Sequence, residues 1–361
     1  MKKIVSILGA RPQFVKAAVL SRIIKEQQEF EEVIIHTGQH FDANMSAIFF
    51  KEMEIPAPSY NLNINGGTHG LMTGRMLERI EEVLLVEKPT AVLVYGDTNS
   101  TLAGALAAKK LGIDLVHVEA GLRSFNMSMP EEVNRILTDR IADLLFCPTQ
   151  TAVQNLQKEG FDNLDARIEL CGDIMHDSVT FYADLSTSRS DILKRLKLSQ
   201  KEFVLATIHR QENTDSKRKL SSIIEGLNKI SKEIPVILPM HPRTRDMLDA
   251  YQLQFDGLAI DPLGYFDMLQ LLQHCSIVVT DSGGLQKEAY FNSKPCLIAR
   301  EETEWLELVD KGYAAIVGAD ARKIYQGYRL FGDEHPVFKP GLYGEQVGLS
   351  IYRSLQRFLE R

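Results

Sequence analysis

The sequence predicts an α/β protein with two domains, each built on a parallel sheet. Short apolar runs alternate with longer amphipathic stretches, and this alternation of strand and helix is typical of parallel sheets covered on both faces. The pattern runs through the first half of the chain and begins again near residue 203. With 361 residues, the chain is also longer than one ordinary domain.

The apolar runs predict the strands of each sheet. In the first half they are Lys3–Leu8, Glu32–His36, Ala91–Tyr95, Leu115–Glu119, Leu144–Pro148 and Ile168–Cys171. In the second half they are Phe203–Thr207, Val236–Met240, Leu258–Ile260, Ile277–Thr280, Cys296–Ile298 and Ala314–Val317. The polar segment from Asp173 to Lys201 is interpreted as a linker plus a helix. We therefore predict an N-terminal domain at 1–172 and a C-terminal domain at 173–344, with an amphipathic helix in 345–361 that crosses back to the first domain.

Composition and charge argue against several classes of protein. Hydrophobic residues make up 44% of the chain and charged residues 25%, which is a globular composition. The formal net charge of −7 disfavours a nucleic-acid partner, and no apolar run reaches the roughly 18 residues of a membrane span. The four cysteines have no CxxC spacing, so we expect free thiols, no metal site and a reducing, cytoplasmic location.

Ligands of open parallel sheets bind at the carboxyl ends of the strands, so the residues that follow each strand are candidates for a site. After the first strand, GARPQFVK combines a glycine turn with two cations, Arg11 and Lys16, at a helix start. This arrangement suits an anionic ligand, because the helix end adds its own N–H groups and dipole. An ordinary turn with solvated basic residues explains the motif equally well when it is taken alone.

Three carboxylates follow other strands of the first domain: Asp97 in GDTNST, Glu119 in HVEAGLRS and Glu131 in MPEEVNR. Acids at a helix start are often only caps. That explanation is strong for Glu132 and fair for Glu131, but weak for Glu119, which directly follows an apolar strand. Acids that converge from separate strand ends shift one another's pKa, so that one site can hold both an acid and a base.

The second domain has cationic turns and a glycine-rich turn at its strand ends. The glycine-rich turn lies in TDSGGLQKEA, where backbone N–H groups can cradle a phosphate and Glu288 can accept from ribose hydroxyls. No GxxxxGK[ST] motif and no GxGxxG motif at the first helix is present, so neither a P-loop ATPase nor a nicotinamide enzyme is expected, and no cofactor is predicted. The residues at these strand ends are His209, Arg210, His241, Arg243, Ser282, Gly283 and Gly284.

The motifs together resemble those of the non-hydrolysing UDP-N-acetylglucosamine 2-epimerases. The match runs in order over nearly the whole chain, through GARPQFVK, GDTNSTLAGALAA, HVEAGLRS, MPEEVNR, CPT, TIHRQEN and TDSGGLQKEA. The resemblance implies two Rossmann-like domains in the glycosyltransferase-B arrangement, a UDP-sugar substrate in the cleft between them, and a homodimer. It also implies that UDP leaves C1 as the C2–H bond breaks and adds back after protonation on the other face.

The resemblance also assigns residues position by position. UDP contacts fall on Arg11, His209, Ser282, Gly283, Gly284 and Glu288. The catalytic group falls on Lys16, Asp97, Glu119, Glu131 and His209. Sugar contacts are expected at Gln13, Arg135, His241, Arg243 and Glu304. Some bacterial members bind a second, activating UDP-sugar where this chain has Gln39, His40 and Arg75.

The chain departs from the family pattern in ways that bear on the sugar. It has Gln13 where an acid is frequent, TEWLE where TERPE is frequent, and Arg243 where an asparagine is common. A lost negative charge and a gained positive charge favour an anionic hexose, as in the 2-epimerases of UDP-2,3-diacetamido-2,3-dideoxyglucuronic acid. UDP-N-acetylglucosamine and that uronate are therefore both candidate substrates. A retaining glycosyltransferase of the same fold, a non-catalytic nucleotide-sugar sensor and a hydrolysing epimerase are the alternative functions.

Overall fold

The computed structural model describes residues 1–39, 55–199 and 202–360, which form two compact units. Unit 1 contains Met1–Ser178 and Gly341–Arg361, and unit 2 contains Val179–Pro340. The boundary falls inside the helix Ile174–Arg189, which lies in the segment interpreted as a linker plus a helix. Each unit has its own sheet of parallel strands, which confirms the predicted α/β class.

Unit 1 contains a seven-stranded parallel sheet in the order β3-β2-β1-β4-β5-β6-β7. Central strands are apolar along their whole length because helices cover both faces; all five residues of β4 are buried. The predicted strands are confirmed, and one short edge strand, β3, is additional. The strands are β1 Lys2–Leu8, β2 Phe30–His36, β3 Tyr60–Asn61, β4 Ala91–Tyr95, β5 Asp114–Val118, β6 Leu144–Cys147 and β7 Arg167–Leu170.

The helices of unit 1 begin where the sequence offers a helix start. A proline lies in the first turn of both α1 and α4, where its missing N–H is not needed. Thr98 caps α3 by accepting from the backbone N–H of Thr101. The helices are α1 Arg11–Gln27, α2 His69–Glu87, α3 Asn99–Lys110, α4 Pro130–Ile141 and α5 Gln150–Lys158, and α6 Ile174–Arg189 begins in unit 1 and continues into unit 2.

Unit 2 contains a six-stranded parallel sheet in the order β10-β9-β8-β11-β12-β13, over a largely aliphatic core. Its strands are β8 Val204–Thr207, β9 Val236–Pro239, β10 Leu258–Ile260, β11 Ile277–Thr280, β12 Cys296–Ile298 and β13 Ala314–Ile316. Its helices are α7 Ile192–Arg195, α8 Gln211–Thr214, α9 Lys217–Ser231, α10 Pro242–Tyr251, α11 Tyr265–His274, α12 Gly283–Phe291, α13 Leu306–Asp310 and α14 Ala321–Asp333.

Both sheets change direction of strand order at their centre. In unit 1 the order reverses between β1 and β4, and in unit 2 between β8 and β11. Loops that leave such a pair of strands run to opposite sides of the sheet, which opens a crevice at the carboxyl ends. The residues that follow these four strands are therefore placed where ligands of doubly wound sheets bind.

The last helix, α15 (Val347–Leu359), belongs to unit 1 and packs against α1. The two helices approach closely at Gly348, where a Cβ atom would lie 2.5 Å from Val19 Cγ1. The ring of Tyr352 lies 5.5 Å from that of Phe30 at the start of β2. Lys2 Nζ donates to the carbonyl oxygen of Leu359, so the two ends of the chain lie side by side.

No helix within residues 1–39, 55–199 and 202–360 is both long enough and apolar enough to cross a membrane.

Candidate functional site

Four charged side chains converge at the carboxyl edge of the sheet in unit 1. Lys16 of α1 pairs with Glu119, which follows β5, and each side chain is only 8% exposed. Arg135 of α4 lies with Nη1 2.8 Å from Oδ2 of Asp97 and with Nη2 3.6 Å from Oε2 of Glu119. Two cations thus hold two of the predicted catalytic acids in a partly buried cluster, where charge interactions are stronger than in water.

The pKa of Asp97 is raised above its ordinary value. Burial is the main cause, the positive charge of Arg135 opposes it, and the negative charge of Glu119 adds to it. Lys16 and Glu131 make smaller contributions of opposite sign, so the predicted catalytic residues of unit 1 act on one another. A carboxyl group with a raised pKa is suited to take and return a proton near neutral pH.

Glu119 has an unusual backbone as well as a buried side chain. Its φ is 73°, in the left-handed region that a residue with a Cβ atom rarely adopts. Its N–H and that of Ala120 both donate to the carbonyl oxygen of Phe146, at 3.1 and 3.0 Å. Strained backbone concentrates at functional positions, so this conformation points to Glu119 independently of its charge.

Replacing Arg135 by glutamine is expected to move the acid limb of the pH–rate profile to higher pH. The positive charge of Arg135 holds the pKa of Asp97 down against burial, so its loss raises that pKa further. A carboxylate base works only above its pKa, so activity is then lost at a higher pH as the pH falls. The measurement is the rate of the C2 exchange that the family resemblance implies, from about pH 5 to about pH 9. Arg140→Gln, at an exposed position of the same helix, is the control, and equal acid limbs in the two variants would contradict the assignment.

In unit 2, helix α12 offers an open N-terminus directly after β11. Ser282 is the N-cap residue and Gly283 and Gly284 follow it, and no side chain caps this end. Its first N–H groups therefore point out of the helix without a side-chain cap. Trp305 Nε1 donates to the carbonyl oxygen of Gly283 at 3.1 Å, which ties the turn to the segment after β12.

Charged side chains border this turn. A Cβ atom on Gly283 would lie 3.3 Å from Oε2 of Glu304 and 4.0 Å from Nη2 of Arg210. Arg300 holds Glu304 through two bonds of 2.9 and 3.0 Å. Lys287 lies 3.9 Å from the centre of the Trp305 ring. The predicted contact Glu304 is therefore next to the turn, and two arginines accompany it.

His209 follows β8 and lies against Asp281, which follows β11. Its Nδ1 is 3.2 Å from Oδ1 of Asp281, and the backbone N–H groups of His209 and Arg210 donate to the same carboxylate at 3.1 and 3.0 Å. Burial opposes ionisation of Asp281, but its contacts with His209, together with hydrogen bonds from Arg210 and Asn213, hold its pKa below the ordinary value. With Nδ1 against Asp281, the imidazole presents its Nε2 edge away from that carboxylate.

Two predicted sugar contacts have partners within their own unit. Gln13 is 1% exposed: its amide oxygen accepts from the N–H groups of Gly9 and Ala10, and its amide nitrogen donates to Tyr95 O and Thr101 Oγ1. Arg243 Nη2 lies 2.6 Å from both carboxylate oxygens of Asp215. The guanidinium charge of Arg243 is therefore already paired in this structure.

The other predicted residues lie near these strand ends to different degrees. His241 caps α10, and its ring centre is 5.8 Å from that of His209. Gln39 accepts from the backbone N–H and the hydroxyl of Ser100 at the start of α3. Arg75 is exposed on α2, and His40 lies outside the described residues. The remaining positions are Arg11, the first residue of α1, Glu131, exposed in the first turn of α4, and Glu288, half-buried on α12.

Sequence reasoning missed two buried carboxylates that support the site, Asp281 and Asp139. Asp281 stands directly before Ser282 in TDSGG, so its place between two strand ends was open to inference. Asp139 follows Arg135 by four residues, which puts both on one face of α4. In the described part of the chain, no three His, Cys, Asp or Glu side chains are grouped to hold a metal ion.

Comparisons with known proteins identify the family and the fold of the chain. A family model described as UDP-N-acetylglucosamine 2-epimerase matches residues 22–344. The UDP-2,3-diacetamido-2,3-dideoxy-D-glucuronate 2-epimerase of Pseudomonas aeruginosa is 56% identical over 328 residues, which is 91% of each chain. The UDP-N-acetylglucosamine 2-epimerase of Methanocaldococcus jannaschii is 41% identical over 364 residues, which is 98% of each chain.

A solved structure gives the same result for the fold. The crystal structure of the Methanocaldococcus jannaschii UDP-GlcNAc 2-epimerase in complex with UDP-GlcNAc and UDP matches with a TM-score of 0.89 and 39% identity. The match covers 98% of this chain and 99% of that one.

Proposed function

Since the chain belongs to the UDP-N-acetylglucosamine 2-epimerase family of isomerases, we propose that it inverts C2 of UDP-2,3-diacetamido-2,3-dideoxyglucuronic acid. The observation that supports this sugar is the high identity with the Pseudomonas aeruginosa enzyme named for it. UDP-N-acetylglucosamine is the second candidate, because the Methanocaldococcus jannaschii relative is named for that substrate.

The charge differences that first favoured an anionic sugar give this proposal little support. The amide of Gln13 is used inside unit 1, and the guanidinium of Arg243 is paired with Asp215. A better candidate to donate hydrogen bonds to the sugar is Arg135. Its Nε is buried and has no hydrogen-bond partner among the described residues. Its guanidinium lies beside both Asp97 and Glu119, where it can bind a sugar oxygen.

We assign UDP mainly to unit 2. The open N-terminus of α12 supplies backbone N–H groups for the diphosphate, with His209 and Arg210 as nearby donors. Glu288, on the same helix, is the proposed acceptor for the ribose hydroxyls. Arg11 is the proposed diphosphate contact from unit 1. The binding of UDP and sugar in a cleft between the two domains remains a prediction from the sequence.

The proposed reaction avoids a full carbanion, because the C2–H bond of a sugar is not acidic. A carboxylate of the Asp97, Glu119 and Glu131 group takes the C2 proton while the bond from C1 to the diphosphate breaks. The product pair is a 2-acetamidoglycal and UDP, and the cations stabilise the charge that grows on the leaving group. UDP then adds back to C1 as an acid delivers a proton to the other face of C2.

Incubation with each UDP-sugar in D2O, followed by proton NMR, tests both the reaction and the sugar. We expect deuterium at C2 and a manno epimer with the diacetamido uronate, and a rate at least about tenfold lower with UDP-N-acetylglucosamine. The reverse preference would assign the second candidate. Transfer to an added acceptor without C2 exchange would indicate a glycosyltransferase, and release of free sugar would indicate a hydrolysing epimerase.

We further propose a cytoplasmic homodimer. The four cysteines are free thiols in the structure, which is compatible with a reducing compartment. The dimer is carried over from the family resemblance, and light scattering of the purified protein measures it directly.

A further inference from the structure

One buried carboxylate binds the chain on both sides of Glu119. Oδ1 of Asp139 lies 2.7 Å from Nδ1 of His117, two residues before Glu119. Oδ2 of Asp139 accepts from the N–H of Gly121 at 3.1 Å and from Nη1 of Arg123 at 2.6 Å, after Glu119. Asp139 itself is 0% exposed. Glu119 is therefore in the middle of a short segment that is tied at both ends to α4.

The conformation of Glu119 requires such support. Its left-handed φ is unfavourable for a residue with a Cβ atom, and such backbone persists only when surrounding contacts fix it. The contacts of Asp139 fall on the residues that flank the strained position.

The second nitrogen of His117 extends the same set of contacts to the neighbouring turn. His117 Nε2 lies 2.7 Å from the carbonyl oxygen of Gly96, which precedes Asp97. Gly96 itself faces Glu119, because a Cβ atom on it would lie 3.1 Å from Oε2 of Glu119 and 3.6 Å from Nζ of Lys16. Asp139 thus connects, through His117, the two turns that carry Asp97 and Glu119.

We propose that Asp139 is a positioning residue whose carboxylate holds Glu119 in the left-handed conformation and so directs its side chain toward Lys16. The importance of this position for catalysis rests on the proposed function. Balancing the charge of Arg123 does not require Asp139, since Glu159 already binds that guanidinium through two bonds of 2.7 Å. The distinctive contribution of the Asp139 carboxylate is that it binds His117, Gly121 and Arg123, which lie on both sides of Glu119.

A comparison of glycine and alanine at position 119 measures the backbone strain directly. Both variants lack the carboxylate, so they differ chiefly in how well they accept a positive φ. We expect Glu119→Gly to melt about 2–4 °C above Glu119→Ala. In an Asp139→Asn background this gap is expected to fall below about 1 °C, because an amide cannot accept hydrogen bonds on both of its sides.

Lys88 provides the matched control, because it also has a positive φ, 48°, but caps α2 away from Asp139. The gap between Lys88→Gly and Lys88→Ala is expected to be the same in the unaltered protein and in the Asp139→Asn background. If the difference in melting temperature between Glu119→Gly and Glu119→Ala is unchanged by Asp139→Asn, the proposal is overturned. If Asp139→Asn does not fold, the comparison is made in an Asp139→Glu background, which keeps the charge but displaces the carboxylate from its three donors, and an unchanged difference in melting temperature there also overturns the proposal.

Kinetics test the consequence for the reaction. Asp139→Asn is expected to lower kcat for C2 exchange about 100-fold with KM changed less than about threefold, because the base is misplaced while substrate contacts remain. In a Glu119→Gln background, Asp139→Asn is expected to add no further loss, and a full additional loss would contradict positioning through Glu119. Absence of exchange in the unaltered protein would count against the proposed function and leave the melting comparison valid.

Discussion

Glu119→Gln is expected to lower the rate of C2 proton exchange by about 10²–10⁴-fold while UDP still binds. The substitution keeps the size of the side chain and an oxygen for Lys16 and Arg135, but removes the group that takes or returns the proton. The residues assigned to UDP lie elsewhere in the sequence, most of them in unit 2. Proton NMR in D2O measures the exchange, and calorimetry with UDP measures the binding.

The control is Glu78→Gln, which removes an exposed acid from helix α2 of the same unit. Its exchange rate is expected to match that of the unaltered protein. If Glu119→Gln retained exchange within about twofold of the unaltered rate, Glu119 would have no part in proton transfer.

Lys16→Met is expected to lower the free energy of unfolding by about 3 kcal/mol. Removing one partner of a buried ion pair leaves the other charge without compensation, and both side chains here are only 8% exposed. Arg135 remains 3.6 Å from Glu119 and offsets part of the loss, so the low end of the usual range is expected. Urea unfolding followed by circular dichroism gives the measurement, provided that the transition of unit 1 is resolved.

The double variant Lys16→Met/Glu119→Gln distinguishes a charge effect from a packing effect. If the loss comes from an uncompensated carboxylate, neutralising Glu119 restores part of the stability, and the two changes together cost less than their sum. Additive losses would show that Lys16 contributes mainly by packing its aliphatic stem.

Much of the fold could be predicted because a parallel sheet covered on both faces leaves a clear pattern in the sequence. Runs such as AVLVY in β4 are buried along their whole length and alternate with amphipathic helices. The edge strand β3 was missed because two residues, Tyr60 and Asn61, are too few to show a pattern. A helix was expected within Asp173–Lys201, but the bounds of α6 could not be predicted because its sequence has no clear apolar face.

The site residues that could be predicted are those that follow a strand directly in the sequence. Asp97 and Glu119 were found in this way, and the structure brings both to Arg135. The left-handed backbone of Glu119 could not be predicted, because it depends on contacts with residues distant in sequence, such as Phe146. The hydrogen bonds that Gln13 makes inside unit 1 could not be predicted for the same reason, because its partners Tyr95 and Thr101 are distant in sequence.

The position of α15 has a consequence for how the protein is made. A ribosome releases the whole of unit 2 after α1 and before α15, the helix that packs on α1. Gly348 of α15 packs against Val19 and Ile23 of α1. This apolar surface of α1 therefore stays exposed until α15 has been made. Unit 1 therefore reaches its final packing only after α15 has emerged, although all seven strands of its sheet are made before unit 2.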